Sequence, residues 1–275
     1  MAGTTGEGAS LAALAAISAG VLGVLGARSA LASRPLPQPP PTRGGGLVGR
    51  LLESLPLPLR EGVGKRRQSA ALAADAARRL NNSSALLALS VFADSAVEHY
   101  RGMFHNKAMF VPLAASAASL ASSLHGIGDE SGTAHRLRHA VALTAVATGL
   151  IGGGFHLYNV TKREGGLSWL NLFYGAPLGA PYALILSGLM GTAAEHVRDS
   201  GYREPRVMGL PAGPALAAIT SGGLVGTVAE AALLHFRGAF QDPFMYLPVT
   251  IPPVAAGLIA KAGLETPPRW RRLTR

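Results

Sequence analysis

Residues 99–112, HYRGMFHNKAMFVP, return at residues 235–248 as HFRGAFQDPFMYLP. Aligned without a gap, the two copies share His, Arg, Gly, Phe, Met and Pro at matching positions. An acidic residue precedes the first His of each copy by five positions, Asp94 in one and Glu230 in the other. A weaker third copy begins at His156 with HLYN. Such self-similarity predicts a chain built from repeated structural units.

The composition indicates a membrane protein rather than a soluble domain. The chain has 275 residues, of which 48% are hydrophobic and only 15% charged. A soluble domain carries about 25% charged residues. The net charge of +10 does not indicate nucleic-acid binding, because the cations cluster beside apolar runs, as membrane topology requires. The absence of cysteine excludes disulfides, thiol catalysis and a C-x-x-C-H haem attachment.

Long apolar runs predict an all-α integral membrane protein of about seven transmembrane helices. The predicted spans are 9–32, 84–101, 106–125, 138–158, 169–195, 210–236 and 243–263. Residues 1–33 contain the first span. The segment Ala30-Leu31-Ala32 also resembles a signal-peptidase site, but the N-terminus MAGTTGEGAS lacks the basic region of a signal peptide. We therefore favour a retained helix over a cleaved signal.

Basic segments predict how the spans are oriented. Residues 34–83 form a Pro- and Gly-rich linker followed by an amphipathic, cation-rich segment that we expect on the membrane surface. Further cations lie at 196–207 and in the tail, 265–275. With seven spans all three segments fall on one side, which the positive-inside rule makes the cytoplasm. The N-terminus is then outside and the C-terminus inside. The loops predicted to face outward are 101–107, 159–168 and 237–242.

The repeats predict three helical hairpins within a bundle at 84–264. Each hairpin consists of a helix, a motif loop and a returning helix. The predicted hairpins are 84–125, 138–195 and 210–263. Small residues are frequent on these helices and permit the close approach on which helix packing in a membrane depends. We therefore expect approximate threefold internal symmetry.

The repeated motifs also supply the candidate site residues. His99, His156 and His235 each end an outbound helix, so symmetric repeats would bring the three imidazoles together at similar depth. An acid near the membrane interface is costly unless it is paired, which makes such residues functional candidates. The candidate ligand-binding residues are Asp94, His99, Arg101, His156, Glu230, His235 and Arg237. The alternative interpretation is structural: these side chains close the hairpins and cap helix ends.

Two functional hypotheses follow from these residues. In the first, the chain is a multi-pass subunit of the bacterial plasma membrane that anchors an extracytoplasmic oxidoreductase and relays electrons through a quinone or haem b. Aromatic and Arg residues in the outer loops would seat the protein partner. In the second, a transporter or lipid-active protein uses the His and Arg side chains to bind an anionic ligand. Neither hypothesis makes the chain catalytic by itself.

A metal site is a weaker hypothesis. His135 and His139 have the i, i+4 spacing that places two ligands on one helical face. The chain has eight histidines in total and no H-x-x-H-H, so it does not fit the membrane di-iron hydroxylases. We favour solvated histidines in a cytoplasmic turn over a metal site.

Overall fold

A computed structural model describes residues 57–131, 133–175, 179–200 and 203–264. This part of the chain is mostly helical. Its α-helices are α1 (Leu57–Arg101), α2 (Val111–Gly128), α3 (Arg136–Thr161), α4 (Trp169–Tyr174), α5 (Gly179–Asp199), α6 (Ala212–Arg237) and α7 (Leu247–Leu264). The 3-10 turns Lys107–Phe110 and Pro243–Tyr246 lead into α2 and α7. Strands β1 (Arg206–Val207) and β2 (Leu210–Pro211) pair antiparallel before α6.

Within these residues, four helical segments are long and apolar enough to cross a membrane. They are Lys107–Gly128, Arg136–Thr161, Ala212–Arg237 and Pro243–Leu264. They match the third, fourth, sixth and seventh spans predicted from the sequence, and they indicate a membrane protein. The predicted first span, 9–32, and the tail, 265–275, lie outside the described residues. The count of seven spans and the orientation stay predictions.

Two elements differ from the sequence prediction. The span predicted at 84–101 is the last part of α1, which already begins at Leu57, inside the amphipathic part of the segment 34–83. Ala, Leu and Arg dominate α1 and are strong helix formers, so the helix continues through its charged residues. The segment predicted as one span at 169–195 is not a single continuous helix. Helix α4 ends at Tyr174, Gly175 has an extended backbone with ψ −172°, and α5 begins at Gly179.

Glycines bring neighbouring helices close together. A Cβ atom placed on Gly188 of α5 would lie 2.5 Å from the Ala142 carbonyl oxygen of α3. A Cβ atom on Gly149 of α3 would lie 2.6 Å from the Pro181 carbonyl oxygen of α5. No side chain fits at these distances, so α3 and α5 pack backbone to backbone, as small residues allow in membranes.

The long helices alternate in direction along the chain, which gives the bundle two ends. The motif end carries His99, His156 and His235. The network end carries Asp129, Arg138, Glu195 and Arg198. At the network end, apolar side chains of α5, β1 and α6 form a buried cluster: Ala193, Val197, Val207, Ala212 and Ala215. Between the two ends, α1, α3 and α5 contribute a buried apolar layer: Val91, Ala145 and Leu184.

Candidate functional site

The first and second motif copies, which follow α1 and α6, form the same backbone turn. Two consecutive residues after each helix have left-handed φ angles, 56° and 45° at Met103 and Phe104, and 53° and 49° at Ala239 and Phe240. The amide of Phe104 donates to the His99 carbonyl at 3.0 Å, and the corresponding Phe240 bond to His235 is 3.1 Å. Left-handed backbone is costly for residues other than glycine, so the surrounding contacts must hold both turns.

Aromatic stacking and side-chain caps supply those contacts. The rings of Phe104 and Phe110 stack with centroids 4.4 Å apart, and those of Phe240 and Tyr246 with centroids 4.7 Å apart. Each 3-10 turn begins with a side chain that accepts a backbone hydrogen bond. Asn106 accepts from Ala108 at 2.9 Å, and Asp242 accepts from Phe244 at 2.8 Å. Several shared positions of the motif therefore have a local structural role.

The motif histidines also contact their own loops. The Nδ1 atom of His99 lies 2.6 Å from the Met109 carbonyl oxygen, and its ring packs edge-on against Phe104. The His235 ring lies against Phe240, with centroids 6.1 Å apart. These are the contacts expected of the structural interpretation. The convergence of the three imidazoles stays a prediction.

The two motif arginines have different neighbours. Arg101 is exposed and pairs with Glu98 on its own helix, at 2.9 Å. The guanidinium of Arg237 lies over the rings of Phe173 and Tyr174, 4.8 and 5.3 Å from their centroids. Arg237 therefore ties the end of α6 to α4.

The third motif copy forms a different loop. Helix α3 continues past His156 to Thr161, and the chain then turns through glycines at 165 and 166, with φ angles of 84° and 59°. The buried Asn171 side chain closes this loop by donating to the carbonyls of Glu164 and Gly166, both at 2.8 Å. In this loop the two consecutive left-handed residues are therefore glycines, which adopt that backbone without strain.

Ionisable groups from three helices meet below the motif end. The Glu230 carboxylate of α6 accepts a hydrogen bond from the Gly179 amide at the start of α5, at 3.1 Å. The carboxylate occupies the space that a Cβ atom at position 179 would need, so any other residue there would displace the Glu230 side chain. Asp94 of α1 and His156 of α3 lie near enough for their charges to act on the Glu230 carboxylate. We call Asp94, His156 and Glu230 the acid cluster.

The acid cluster is open at the surface of the bundle. Asp94 is exposed, whereas Glu230 and His156 are half-buried. Ionisable groups at this depth are expensive in a membrane unless they serve a function or find partners. A small molecule dissolved in the membrane could reach the cluster from the side.

The network end holds ion pairs that the sequence did not predict. Arg138 is 4% exposed and Glu195 is 1% exposed. Their side chains form a bidentate pair, with Arg138 Nε and Nη2 donating to the two Glu195 oxygens at 2.7 and 3.1 Å. Arg138 Nη1 also donates to Asp129 at 2.7 Å and to His125 Nδ1 at 3.0 Å.

A second buried arginine holds the loop between α2 and α3. The fully buried Arg198 side chain donates to the carbonyls of Asp129 and Ser131, both at 2.8 Å, and to that of Gly126 at 3.0 Å. The Arg198 Nε atom is buried without a hydrogen-bond partner among the described residues. The turn expected to be solvated is therefore anchored on a buried ionic network.

The proposed pairing of His135 with His139 on one helical face is not observed. His135 is the N-cap of α3, with extended backbone, and so precedes the helix. Its ring lies 5.5 Å from that of His125, whereas the His139 ring lies 5.2 Å from that of His196. In the described part of the chain, no group of three or more His, Asp or Glu side chains has a geometry that suits a metal ion.

One signal in the sequence pointed to the network. Arg138, Glu195 and Arg198 lie near the ends of helices that are otherwise rich in Ala, Leu and Gly. Buried charges need partners, so their positions implied pairing. Arg138 and Glu195 are 57 residues apart, and Arg198 and Asp129 are 69 apart, so the sequence did not reveal which groups would pair.

No known protein family, curated protein or solved structure matches this chain.

Proposed function

We propose that this chain is a membrane anchor and electron-relay subunit that binds a quinone at the acid cluster. Its oxidoreductase partner would dock at the motif end, outside a bacterial plasma membrane. One observation carries the proposal: the Glu230 carboxylate of α6 is held by the Gly179 amide of α5, near Asp94 of α1 and His156 of α3, at a site open at the bundle surface.

The chemistry of quinone reduction suits this cluster. Reduction of a quinone to a quinol takes two electrons and two protons, and here the partner subunit supplies the electrons. A carboxylic acid and an imidazole can each donate a hydrogen bond to a quinone carbonyl and then a proton. Gly179 fixes the Glu230 carboxylate through its amide, at 3.1 Å. Asp94 is exposed, so the quinone head group would enter the cluster from the membrane on the side of this residue.

Haem b is the alternative cofactor of this hypothesis. A bis-histidine haem needs two imidazoles that face one another across the iron. The ring neighbours of His99 and His235 are instead phenylalanines of their own loops. The geometry therefore favours a quinone over haem b.

The second candidate function is a transporter or lipid-active protein. The interruption between α4 and α5 favours it, because broken helices beside ionisable groups are typical of transporters. However, the Gly179 amide at the start of α5 already donates its hydrogen bond to the Glu230 carboxylate. Arg101 and Arg237 also bind Glu98 and aromatic rings rather than facing a common space. An anion would have to displace these contacts.

Quinone titration of the purified protein tests the proposal. Trp169 lies in α4, in the connection between α3 and α5, and a Trp270→Phe background makes it the single tryptophan. A short-chain naphthoquinone or benzoquinone should quench its fluorescence with a saturating curve. Glu230→Gln and His156→Phe should each weaken binding by about tenfold, the loss expected for one strong hydrogen bond. Glu98→Gln, one turn from Asp94, is the matched control and should bind normally.

The same preparation separates the alternatives. Equal quinone affinity in the wild type, Glu230→Gln and Glu98→Gln proteins would contradict a quinone site at the cluster. A reduced-minus-oxidised absorption spectrum with Soret and alpha bands would favour haem b. Uptake of an anion by proteoliposomes without any partner would favour the transporter.

A further inference from the structure

A chain of buried serine hydroxyls runs through the middle of the bundle. Ser119 Oγ lies 2.9 Å from Ser187 Oγ, which lies 3.3 Å from Ser84 Oγ. Ser123 Oγ donates to Ser84 Oγ at 2.8 Å. All four serines are at most 3% exposed, and they come from α1, α2 and α5. We call Ser119, Ser187, Ser84 and Ser123 the serine chain.

The serine chain has more than one hydrogen-bonding pattern. Ser84 Oγ can donate to the Ser187 carbonyl at 2.8 Å or to the Ser187 hydroxyl at 3.3 Å. Ser187 Oγ in turn can donate to the Ser84 carbonyl at 3.0 Å or form a hydrogen bond with Ser119 Oγ at 2.9 Å, in which either hydroxyl donates. A hydroxyl both donates and accepts, so rotation of these groups reverses the hydrogen bonds that link Ser119, Ser187 and Ser84, to which Ser123 adds a donor. A proton relay requires this property.

The lower end of the serine chain approaches the network end. One turn beyond Ser84 and Ser123, the Asn81 side chain packs directly against Gly126. The Gly126 carbonyl accepts from Arg198, which also binds the loop at Asp129. Arg198 Nε and Thr192 Oγ1 are buried without partners among the described residues. Buried polar atoms in proteins almost always have a partner, so these two indicate bound water near this end.

The upper end of the chain stops at an apolar layer. Val91, Ala145 and Leu184 form a buried apolar layer, and Leu184 precedes Ser187 by one turn of α5, toward the motif end. Ser116, one turn above Ser119, is buried but turns back to its own helix, donating to the Pro112 carbonyl at 2.6 Å. The serine chain and the acid cluster are therefore two polar regions divided by a thin barrier.

We propose that the serine chain is the inner half of a proton path that leads from the network end toward the acid cluster, with Val91, Ala145 and Leu184 as its barrier. This inference rests on the proposed function, because the acid cluster is where a quinone would consume the protons. The path then takes those protons from the side of the membrane opposite the docked partner.

Proton flux into proteoliposomes tests the path directly. Vesicles containing the full-length protein enclose a pH-sensitive dye, and a potassium gradient with valinomycin drives protons inward. Wild-type flux should be low, since the barrier is closed. Leu184→Ser should raise flux at least about tenfold by letting water cross the layer. Leu86→Ser is the matched control, because Leu86 is 43% exposed on the outer face of α1.

A second variant tests the serines themselves. In the Leu184→Ser background, Ser84→Ala should return the flux to the wild-type level. Ser83→Ala should leave it high, because Ser83 is exposed and binds only the Arg79 carbonyl of its own helix, at 3.3 Å. If Ser84→Ala does not fold, as judged by gel filtration and circular dichroism, Ser119→Ala at the other end of the chain replaces it.

The outcomes are distinct. Equal flux in Leu184→Ser and Leu86→Ser, or high flux that survives both Ser84→Ala and Ser119→Ala, would overturn the proton path. The assay contains no quinone. If Leu184→Ser conducts protons but the protein binds no quinone, the proton path stands and the quinone site is overturned. If the protein binds quinone but Leu184→Ser conducts no protons, the quinone site stands and the proton path is overturned.

Discussion

The two ends of the bundle contain similar residue types in different arrangements. At the motif end, His99 and Arg101 contact Met109, Phe104 and Glu98, all within ten residues. At the network end, Arg138 reaches Glu195 across 57 residues. The motif end is therefore mainly closed by local contacts, whereas the network end is held by tertiary ones. Repetition in this sequence marks a repeated turn, while the strongest polar contacts involve residues that no motif contains.

The largest expected effect comes from removing a tertiary contact at the network end. Glu195→Gln should lower the free energy of unfolding by about 3–5 kcal/mol, because it leaves the buried Arg138 without its bidentate partner. The measurement is unfolding in mixed micelles followed by circular dichroism. Glu98→Gln removes an exposed ion pair at the motif end and should cost only about 0–1 kcal/mol. Equal losses in the two variants would contradict the contrast between the ends.

A pH titration sharpens the same comparison. Burial alone would raise the pKa of the Asp129 carboxyl, but hydrogen bonds from Ser131 and Arg138 and the Arg138 charge hold that pKa well below its usual range. A depressed pKa contributes stability above the unfolded value, near 3.9. That contribution is lost as the pH falls through the folded value.

Unfolding midpoints should therefore decrease below about pH 4. The Asp129→Asn variant should be less stable at neutral pH and should show a smaller decrease in acid. Exchange of backbone amides at the network end, measured at neutral and acid pH, locates the change. A midpoint that falls equally in the wild type and in Asp129→Asn would assign the acid sensitivity to other carboxylates.

Much of the helical architecture could be predicted from the sequence. Apolar runs and their length located the four helices that can span a membrane, and the chain's low charge indicated the class of protein. The interruption after Tyr174 was missed because 169–195 is apolar throughout its first part, and apolarity does not reveal a backbone break. Gly175 and the two prolines that follow it were the available signal.

The candidate site was predictable only in its parts. The spacing of Asp94 and Glu230 before the motif histidines marked both acids as candidates. The proximity of Glu230 to Asp94 and His156, and its contact with Gly179, depend on helix packing that periodicity does not encode. The same limit hid the serine chain, because Ser84 and Ser187 are 103 residues apart.

The smallest expected effect tests whether the motif histidine is a turn residue or a ligand. His99→Ala removes one hydrogen bond to the Met109 carbonyl and one ring contact, so it should cost about 0.5–1.5 kcal/mol of stability. His105→Ala, an exposed histidine in the same loop, is the control and should cost less. Quinone affinity should be unchanged in both variants, because binding is assigned to the acid cluster. Normal stability of His99→Ala together with lost quinone binding would reverse that assignment, since a residue that only closes a turn cannot change affinity without changing the fold.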